Sequence, residues 1–303
     1  SPILGGAIIG LGDTAGFDGV VSIMVIDIVT FVAAIGTLLL IYIPRPEQTT
    51  PREKGAGGFF KEAIYGFRYI FDRPPLLALQ GVFLFCNLFY GIAAGTLLAP
   101  MILARTGSNA LIFGSMETVG AVGMVIGGLV IGAWGGFKRR VNGVLLGWVL
   151  SFIGVLITGL GRSEPAWMMG VWSAGILVST LVVSLVNGSN QAIWMAKVAP
   201  EVQGRVFTTR RLIAWFANPL ASLIAGPLAD RVMEPAMSEG GALVGVFGGL
   251  VGTGAGSGMS LLFIFSALAG LSVVLVAYLI PIVRNVEDLL PDHDRAVEPA
   301  AAV

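Results

Sequence analysis

The sequence predicts an all-α protein, a polytopic membrane helix bundle with about eight transmembrane helices. Three observations lead to this fold class. Hydrophobic residues make up 55% of the 303 residues. Charged residues make up only 12%, about half the share in a soluble domain. The apolar residues are gathered in stretches of about 20 residues, the length that crosses a hydrocarbon layer about 30 Å thick.

The predicted spans follow one another along the whole chain. They run roughly from Ser1 to Leu11, Val20 to Ile43, Leu76 to Leu103, Ala110 to Trp134, Val141 to Leu160, Ala166 to Val186, Thr208 to Val232 and Met259 to Val283. The first stretch resembles the second part of a helix that begins before Ser1. The chain is therefore expected to be a fragment or a processed piece, and by itself it is not expected to transport.

Lysine and arginine predict the orientation of these spans. If the spans alternate in direction, one set of connections holds 15 of the 18 basic residues and the other holds three, Arg105, Arg162 and Arg231. Basic residues collect on the cytoplasmic side of a membrane. The connection after Ile43 and the C-terminal tail are therefore expected in the cytoplasm, and the protein in the cell membrane.

A glycine-rich stretch from Gly241 to Met259 is apolar enough to be mistaken for a ninth span. Glycine disfavours a helix that lacks tight packing. A span here would also move the tail to the outer side. We expect a loop on the outer face or a shallow re-entrant turn.

The largest polar interruption divides the chain. We expect residues 1–43 to form the last two helices of an N-terminal bundle, 44–74 a cytoplasmic connector, 75–283 a C-terminal six-helix bundle and 284–303 a cytoplasmic tail. Within the connector, apolar side chains recur at helical spacing, which predicts an amphipathic helix on the membrane surface: Phe59, Phe60, Ala63, Ile64, Phe67, Ile70 and Phe71. Such a helix either couples two membrane domains or is a passive anchor.

Four short stretches carry a family resemblance. SPILGG begins at Ser1, IDIVTF at Ile26, GAWGGFKRR at Gly132 and APEVQGRVFTTRR at Ala199. The chain resembles the major facilitator superfamily, and in particular its branch of macrolide-efflux proteins and enterobactin-type siderophore exporters. The resemblance implies helices five to twelve of a twelve-helix fold, with the first helices of the same protein as partners.

The resemblance also assigns a conformational role to certain residues. They are Pro2, Gly5 and Gly6 of an antiporter signature, Gly132, Lys138, Arg139 and Arg140 of a basic loop, Gly204 and Arg205 of a later connection, and Gly226, Pro227, Asp230 and Arg231, which repeat the pattern at Ser1. Gly135 or Gly136 stands where the family often has an acidic residue in the basic loop. The loop itself therefore lacks the acid of the usual charge relay.

Three polar residues inside predicted spans are candidates for transport or coupling. Asp27 lies about 10 Å inside its span, and it is either a carboxylate that exchanges a proton or a structural hydrogen-bond acceptor. Glu117 has Ser115 and Thr118 beside it, which favours a wet outer vestibule. Asn87 can bind substrate or a neighbouring helix. A later group, Asn187, Asn190 and Gln191, is expected to end a helix at the cytoplasm.

Small and aromatic residues predict packing and anchoring. Glycines four residues apart allow close approach of helices, or sliding surfaces: Gly91 with Gly95, Gly123 with Gly127, and Gly128 with Gly132. Tryptophans near span ends are expected to be interfacial anchors: Trp134, Trp167, Trp194 and Trp215.

Several functions find no support in the composition. The net charge is zero, so nucleic acid is not an expected partner. With one cysteine, Cys86, and one histidine, His293, the sequence offers no disulfide framework and no metal site. No phosphate-binding glycine loop is present. We expect no cofactor and no enzymatic activity.

The sequence favours a secondary transporter embedded in the lipid bilayer. The leading hypothesis is a proton-coupled exporter of a small amphipathic molecule such as a drug, a siderophore or a peptide-like metabolite. An importer or facilitator on the same fold is the first alternative. A non-transporting membrane scaffold is the second.

Overall fold

The computed structural model describes residues 19–40, 59–162 and 166–293. All regular elements in these ranges are helices. Seven of them are long and apolar enough to cross a membrane, and these are Val21–Leu40, Pro74–Arg105, Ala110–Trp134, Arg140–Leu160, Met169–Lys197, Pro200–Met237 and Ser257–Leu279. The predicted polytopic helical fold is confirmed. The predicted span from Ser1 to Leu11 lies outside the described residues.

The chain divides into two units, Ser1–Gly58 and Phe59–Val303. The described part of the first unit is helix α1, Gly19–Leu40. The described helices of the second unit are α2 (Phe59–Phe71), α3 (Pro74–Tyr90), α4 (Leu98–Arg105), α5 (Ala110–Trp134), α6 (Arg140–Leu160), α7 (Met169–Leu181), α8 (Val183–Lys197), α9 (Pro200–Leu228), α10 (Glu234–Met237), α11 (Val244–Val251), α12 (Ser257–Leu279), α13 (Pro281–Arg284) and α14 (Val286–Leu289). Turns of π-helix, Gly91–Leu97 and Ala229–Met233, continue α3 into α4 and α9 into α10.

The connection between α8 and α9 is much shorter than predicted. Helix α8 continues to Lys197, past the predicted end at Val186, and α9 already begins at Pro200. The prediction that Asn187, Asn190 and Gln191 end a helix was therefore wrong. Hydropathy underestimated these helices because part of their polar surface faces protein: Asn190 is buried and accepts a hydrogen bond from Trp194 Nε1 at 3.1 Å.

The second unit has one end rich in basic residues, which we call the basic end. The α5–α6 connection, the α8–α9 connection and the residues after α12 meet there, since Arg139 and Lys197 both contact the tail. The core nearest this end is built around Trp148, whose ring lies 5.7 Å from Phe83 and 5.6 Å from Phe152. A second core towards the opposite end contains Met101, Trp172 and Phe263.

Glycine brings α5 unusually close to α7 and its continuation. A Cβ atom added at Gly123 would lie 2.3 Å from Thr180 Oγ1, and one at Gly127 would lie 1.9 Å from the Leu181 carbonyl oxygen. Such contacts exclude any larger residue, so the predicted close packing is confirmed for this pair. At Gly95 and Gly132 a Cβ would meet nothing within 4 Å.

The glycine-rich stretch forms a folded loop at the end opposite the basic end. Its helix α11 has eight residues, which is about 12 Å of rise and too short to span. Arg105 and Arg162 donate to carbonyl groups at the end of α11, at 2.7 Å to Val251 O and 2.6 Å to Gly249 O. Glu234 then accepts from the Met259 amide at 2.8 Å. The prediction of a loop rather than a span is confirmed.

Candidate functional site

The predicted basic loop is held in a tight reversal of the chain. Helix α5 ends at Trp134, and Gly135 and Gly136 both have φ of 81°. This left-handed conformation is strained for residues that carry a side chain. Glycine at these two positions therefore serves the turn. Lys138, Arg139 and Arg140 follow directly at the start of α6.

The tail supplies the acid that the loop itself lacks. Arg139 Nη2 lies 2.5 Å from Asp288 Oδ2 and 3.3 Å from Asn285 Oδ1. The carboxylate of Glu287 accepts from the Val141 amide at 2.9 Å, at the first turn of α6. A carboxylate near a helix N-terminus is favourably placed in the helix dipole. The acidic partner of the loop thus comes from α14.

Lys197 is a deeply buried charge at this end. Only 5% of its side chain is exposed. Its Nζ atom donates to Glu287 O at 2.6 Å, Leu290 O at 2.5 Å and Asp292 Oδ1 at 2.8 Å. An ammonium group has three donors, and all three are used here. We call Arg139, Lys197, Glu287, Asp288 and Asp292 the tail clamp.

A small cleft lies beside the tail clamp. It has a volume of about 200 Å³ and is lined by Lys138, Arg140, Ile193, Lys197, Glu287 and Asp292. Arg140 also donates to the Ala192 carbonyl of α8 at 2.8 Å. Together these contacts fasten the α5–α6 connection, the end of α8 and the tail to one another. The arrangement suits a mechanical role better than a chemical one, because cations and carboxylates already pair.

The amphipathic helix α2 is attached to α9 near the same end. A Cβ atom at Gly66 would lie 2.0 Å from Thr209 Oγ1, so the two helices touch there. The predicted motif residue Arg205 lies with its guanidinium 5.5 Å from the Tyr65 ring centre. Ile64 and Phe71 remain exposed and can face lipid. Gly204, next to Arg205, is exposed with open space around it.

Tyr69 of α2 is a buried titratable group close to this attachment. Burial raises its pKa above the ordinary value, against the opposing effect of the nearby Arg73. The Arg73 guanidinium lies 3.6 Å from the Tyr69 ring centre. The phenol therefore stays neutral at physiological pH and contributes packing.

The second predicted repeat motif lies at the other end of α9. Gly226 and Pro227 are in its last turn, and Asp230 and Arg231 are exposed on the π-helical turn that follows. The 29 residues of α9 separate them from the basic end. The structure therefore does not bring them to the tail clamp. Pro2, Gly5 and Gly6 lie outside the described residues.

The three transport candidates lie apart from the clamp or in the other unit. Asp27 is on α1, where Thr30 Oγ1 donates to its carbonyl oxygen at 3.0 Å. Asn87 donates to Phe83 O of its own helix at 2.7 Å, so one of its two donors is already used. Glu117 is partly buried on α5, about two turns after Asn109, which caps that helix.

Sequence reasoning missed two groups of polar residues. The acidic residues of the tail were not recognised. A usable signal was present, because an acidic run follows the last span and a basic loop occurs elsewhere in the chain. The second group is Arg210 with Gln80 and Gln191. Arg210 was counted with a basic connection, Gln191 was expected at the end of a helix, and Gln80 was not singled out within its predicted span.

Comparisons with known proteins find efflux proteins. The chain is 26% identical over 226 residues to macrolide efflux protein A of Streptococcus pyogenes. The aligned region covers 70% of this chain and 51% of that protein. It is 27% identical over 214 residues to macrolide efflux protein A of Enterococcus faecalis, and this aligned region covers 66% of this chain and 60% of that protein. The chain thus spans little more than half of the curated relatives it matches. No family model and no solved structure matches it. The similarity confirms the resemblance to macrolide-efflux proteins.

Proposed function

We propose that the chain forms part of a secondary exporter that moves small amphipathic molecules out of the cell in exchange for protons. One observation carries this proposal: the similarity over 226 residues to proteins named for macrolide efflux. The described part of the chain also has seven helices long enough to cross a membrane, as a transporter requires. Macrolides are therefore the first substrates to test. The basic end and the tail are placed in the cytoplasm by the charge rule.

The proposed organisation follows the sequence. Residues 1–43 complete a first bundle with further helices of the same protein, 44–74 connect the bundles, 75–283 form the second bundle and 284–303 the tail. Transport in such folds rocks one bundle against the other around a site near the membrane midplane. Pro2, Gly5 and Gly6 would then belong to the moving surface of the first bundle.

The tail clamp would serve this motion by keeping the second bundle rigid. It fastens the ends of α5, α6 and α8 through Arg139 and Lys197. A bundle tied at its end turns as one body, so displacement at the membrane midplane is passed to the basic end. Coupling to protons is assigned to the carboxylates of Asp27 and, second, of Glu117.

Flux in everted membrane vesicles tests the proposal. The gene is expressed with whatever coding sequence adjoins these 303 residues, in a macrolide-sensitive bacterium. In everted vesicles an exporter carries substrate inwards. We expect labelled macrolide to accumulate when a proton gradient is imposed and to leak out when a protonophore is added. Uptake that ignores the gradient would indicate a facilitator, and absence of any saturable flux for a panel of amphipathic compounds would contradict transport.

A further inference from the structure

Three helices bring polar side chains together inside the basic end of the second unit. Arg210 of α9 donates from Nη2 to Gln191 Oε1 of α8 at 2.6 Å, and Gln80 Nε2 of α3 donates to the Arg210 carbonyl at 3.1 Å. Gln80 and Gln191 each lie six residues from the basic end of their helix, which is about 9 Å of rise. We call Gln80, Gln191 and Arg210 the amide–arginine cluster.

Aromatic rings enclose the guanidinium of this cluster. The Arg210 Cζ atom lies 5.3 Å from the ring centre of Trp194 and 5.3 Å from that of Phe207. Trp194 is fully buried, so the prediction that it is an interfacial anchor was wrong. Its indole nitrogen is held by Asn190 at 3.1 Å. The rings stabilise a cation and also offer an apolar surface beside it.

The guanidinium carries a positive charge without an acidic partner. In residues 59–162 and 166–293, the ion pairs involve Arg68, Arg139 and Lys197, and none involves Arg210. An ionisable side chain within a membrane-spanning helix is costly and usually marks a functional path. The Gln191 amide alone supplies no compensating charge.

Two polar atoms of the cluster are buried without a hydrogen bond to the described residues. They are Arg210 Nη1 and Gln80 Oε1, and Gln80 itself is only 2% exposed. A buried donor without an acceptor costs free energy, more so when it is charged. An oxyanion on Nη1 would remove this cost and neutralise the guanidinium, since carboxylates and phosphates match its fork of donors.

We propose that the amide–arginine cluster binds the oxyanion of an amphipathic molecule, with Arg210 on the carboxylate or phosphate and the rings of Trp194 and Phe207 against its apolar part. Because Nη1 is shielded from solvent, the anion reaches it only when side chains of α8 or α9 move aside. The source is either an exported amphipathic acid or an anionic phospholipid. The first source rests on the proposed function, whereas binding itself does not.

Equilibrium binding of a simple acid tests the site. The 303-residue chain is placed in phosphatidylcholine nanodiscs and titrated with radiolabelled decanoate, with decylamine as the cation of equal length. We expect saturable decanoate binding that weakens about tenfold in R210Q and is partly retained in R210K, because lysine keeps the charge but loses the fork. R211Q is the matched control, since Arg211 is exposed, and should bind as the parent does.

A second variant separates binding from a structural role of Arg210. Q191E keeps the hydrogen-bond acceptor but gives Arg210 a carboxylate of its own. We expect Q191E to unfold at the parent's temperature or above and yet to bind decanoate about tenfold more weakly. Parent-like decanoate binding by both Q191E and R210Q, or decylamine binding equal to that of decanoate, would overturn the proposal.

Nanodiscs that contain phosphatidylglycerol distinguish the two sources. If an exported acid is the ligand, decanoate affinity stays unchanged in these discs. If a phospholipid is the ligand, phosphatidylglycerol displaces decanoate from the parent, and mass spectrometry finds it retained by the parent but not by R210Q. Either result supports an oxyanion site. Decanoate binding by the parent chain, together with an absence of gradient-driven flux when the full coding sequence is tested in everted vesicles, would contradict the proposed function and leave the site standing.

Discussion

Lys197 and Arg139 make ion pairs at the basic end that contribute very differently to stability. Lys197 is 5% exposed with all three donors used, whereas the Arg139 side chain is 47% exposed. Exposed pairs contribute at most about 1 kcal/mol, whereas a buried charged hydrogen-bond network contributes more. The attachment of the tail therefore depends chiefly on Lys197.

Replacement of Lys197 by methionine should release the tail. We expect the free energy of unfolding to fall by about 2 kcal/mol, because the buried acceptors lose their donor. In D288N, which weakens the exposed pair with Arg139, the loss should stay below about 1 kcal/mol. Thermal unfolding in detergent compares the two variants. Equal losses would show that the tail is held by both pairs alike.

For single residues, the sequence predicted which residues matter better than it predicted which residues they contact. That Arg139 belongs to a special loop could be read from GAWGGFKRR, but its partner Asp288 is 149 residues away. The periodicity of apolar residues along a helix cannot indicate a contact between residues so far apart in the sequence. Asn87 shows the same limit, because its amide serves its own helix through Phe83 O rather than another helix.

At the scale of helices, the contact of α5 with α7 depends on Gly123 and Gly127, and Gly127 makes the tighter approach. We expect Gly127→Ala to cost about 1–3 kcal/mol of stability, because the new Cβ would lie 1.9 Å from the Leu181 carbonyl oxygen and the backbone must shift. Gly132→Ala, on the same helix with open space around it, should be neutral or slightly stabilising. The unfolding temperatures of the two variants, measured side by side with that of the parent, test this prediction.

Should Gly127→Ala leave stability unchanged, the tight contact between α5 and α7 would be wrong. Loss of stability in Gly132→Ala alone would point to the same conclusion.

Most helices could be predicted from hydropathy, and the exceptions share one cause. The span prediction found α5 at its observed limits and α6 within one residue. It failed at α8 and α9, because it ended one span at Val186 and began the next at Thr208. Asn190 and Gln191 in between are polar but bonded to protein, Asn190 to Trp194 of its own helix and Gln191 to Arg210 of α9. Hydropathy records only how apolar a residue is, so a polar side chain that is satisfied by protein looks like a loop.

At the scale of the whole molecule, the basic end and the glycine-rich loop are predicted on opposite sides of the membrane. Single cysteines at Lys138 and Thr253, both exposed, should react with an impermeant thiol reagent from the cytoplasmic and the outer side respectively. A Cys86→Ala background removes the native thiol. Labelling of both from one side would contradict the topology.

The central claim is export in exchange for protons, and substrate-induced collapse of a proton gradient tests it most directly. Everted vesicles that contain the protein are acidified inside, followed with a pH-sensitive dye and given macrolide. We predict that the gradient falls on addition, because substrate entering the vesicle is exchanged for protons leaving it. It should not fall with Asp27→Asn, which keeps size and hydrogen bonding but cannot titrate. A gradient that stays intact while labelled substrate accumulates in the same vesicles would contradict proton-coupled export.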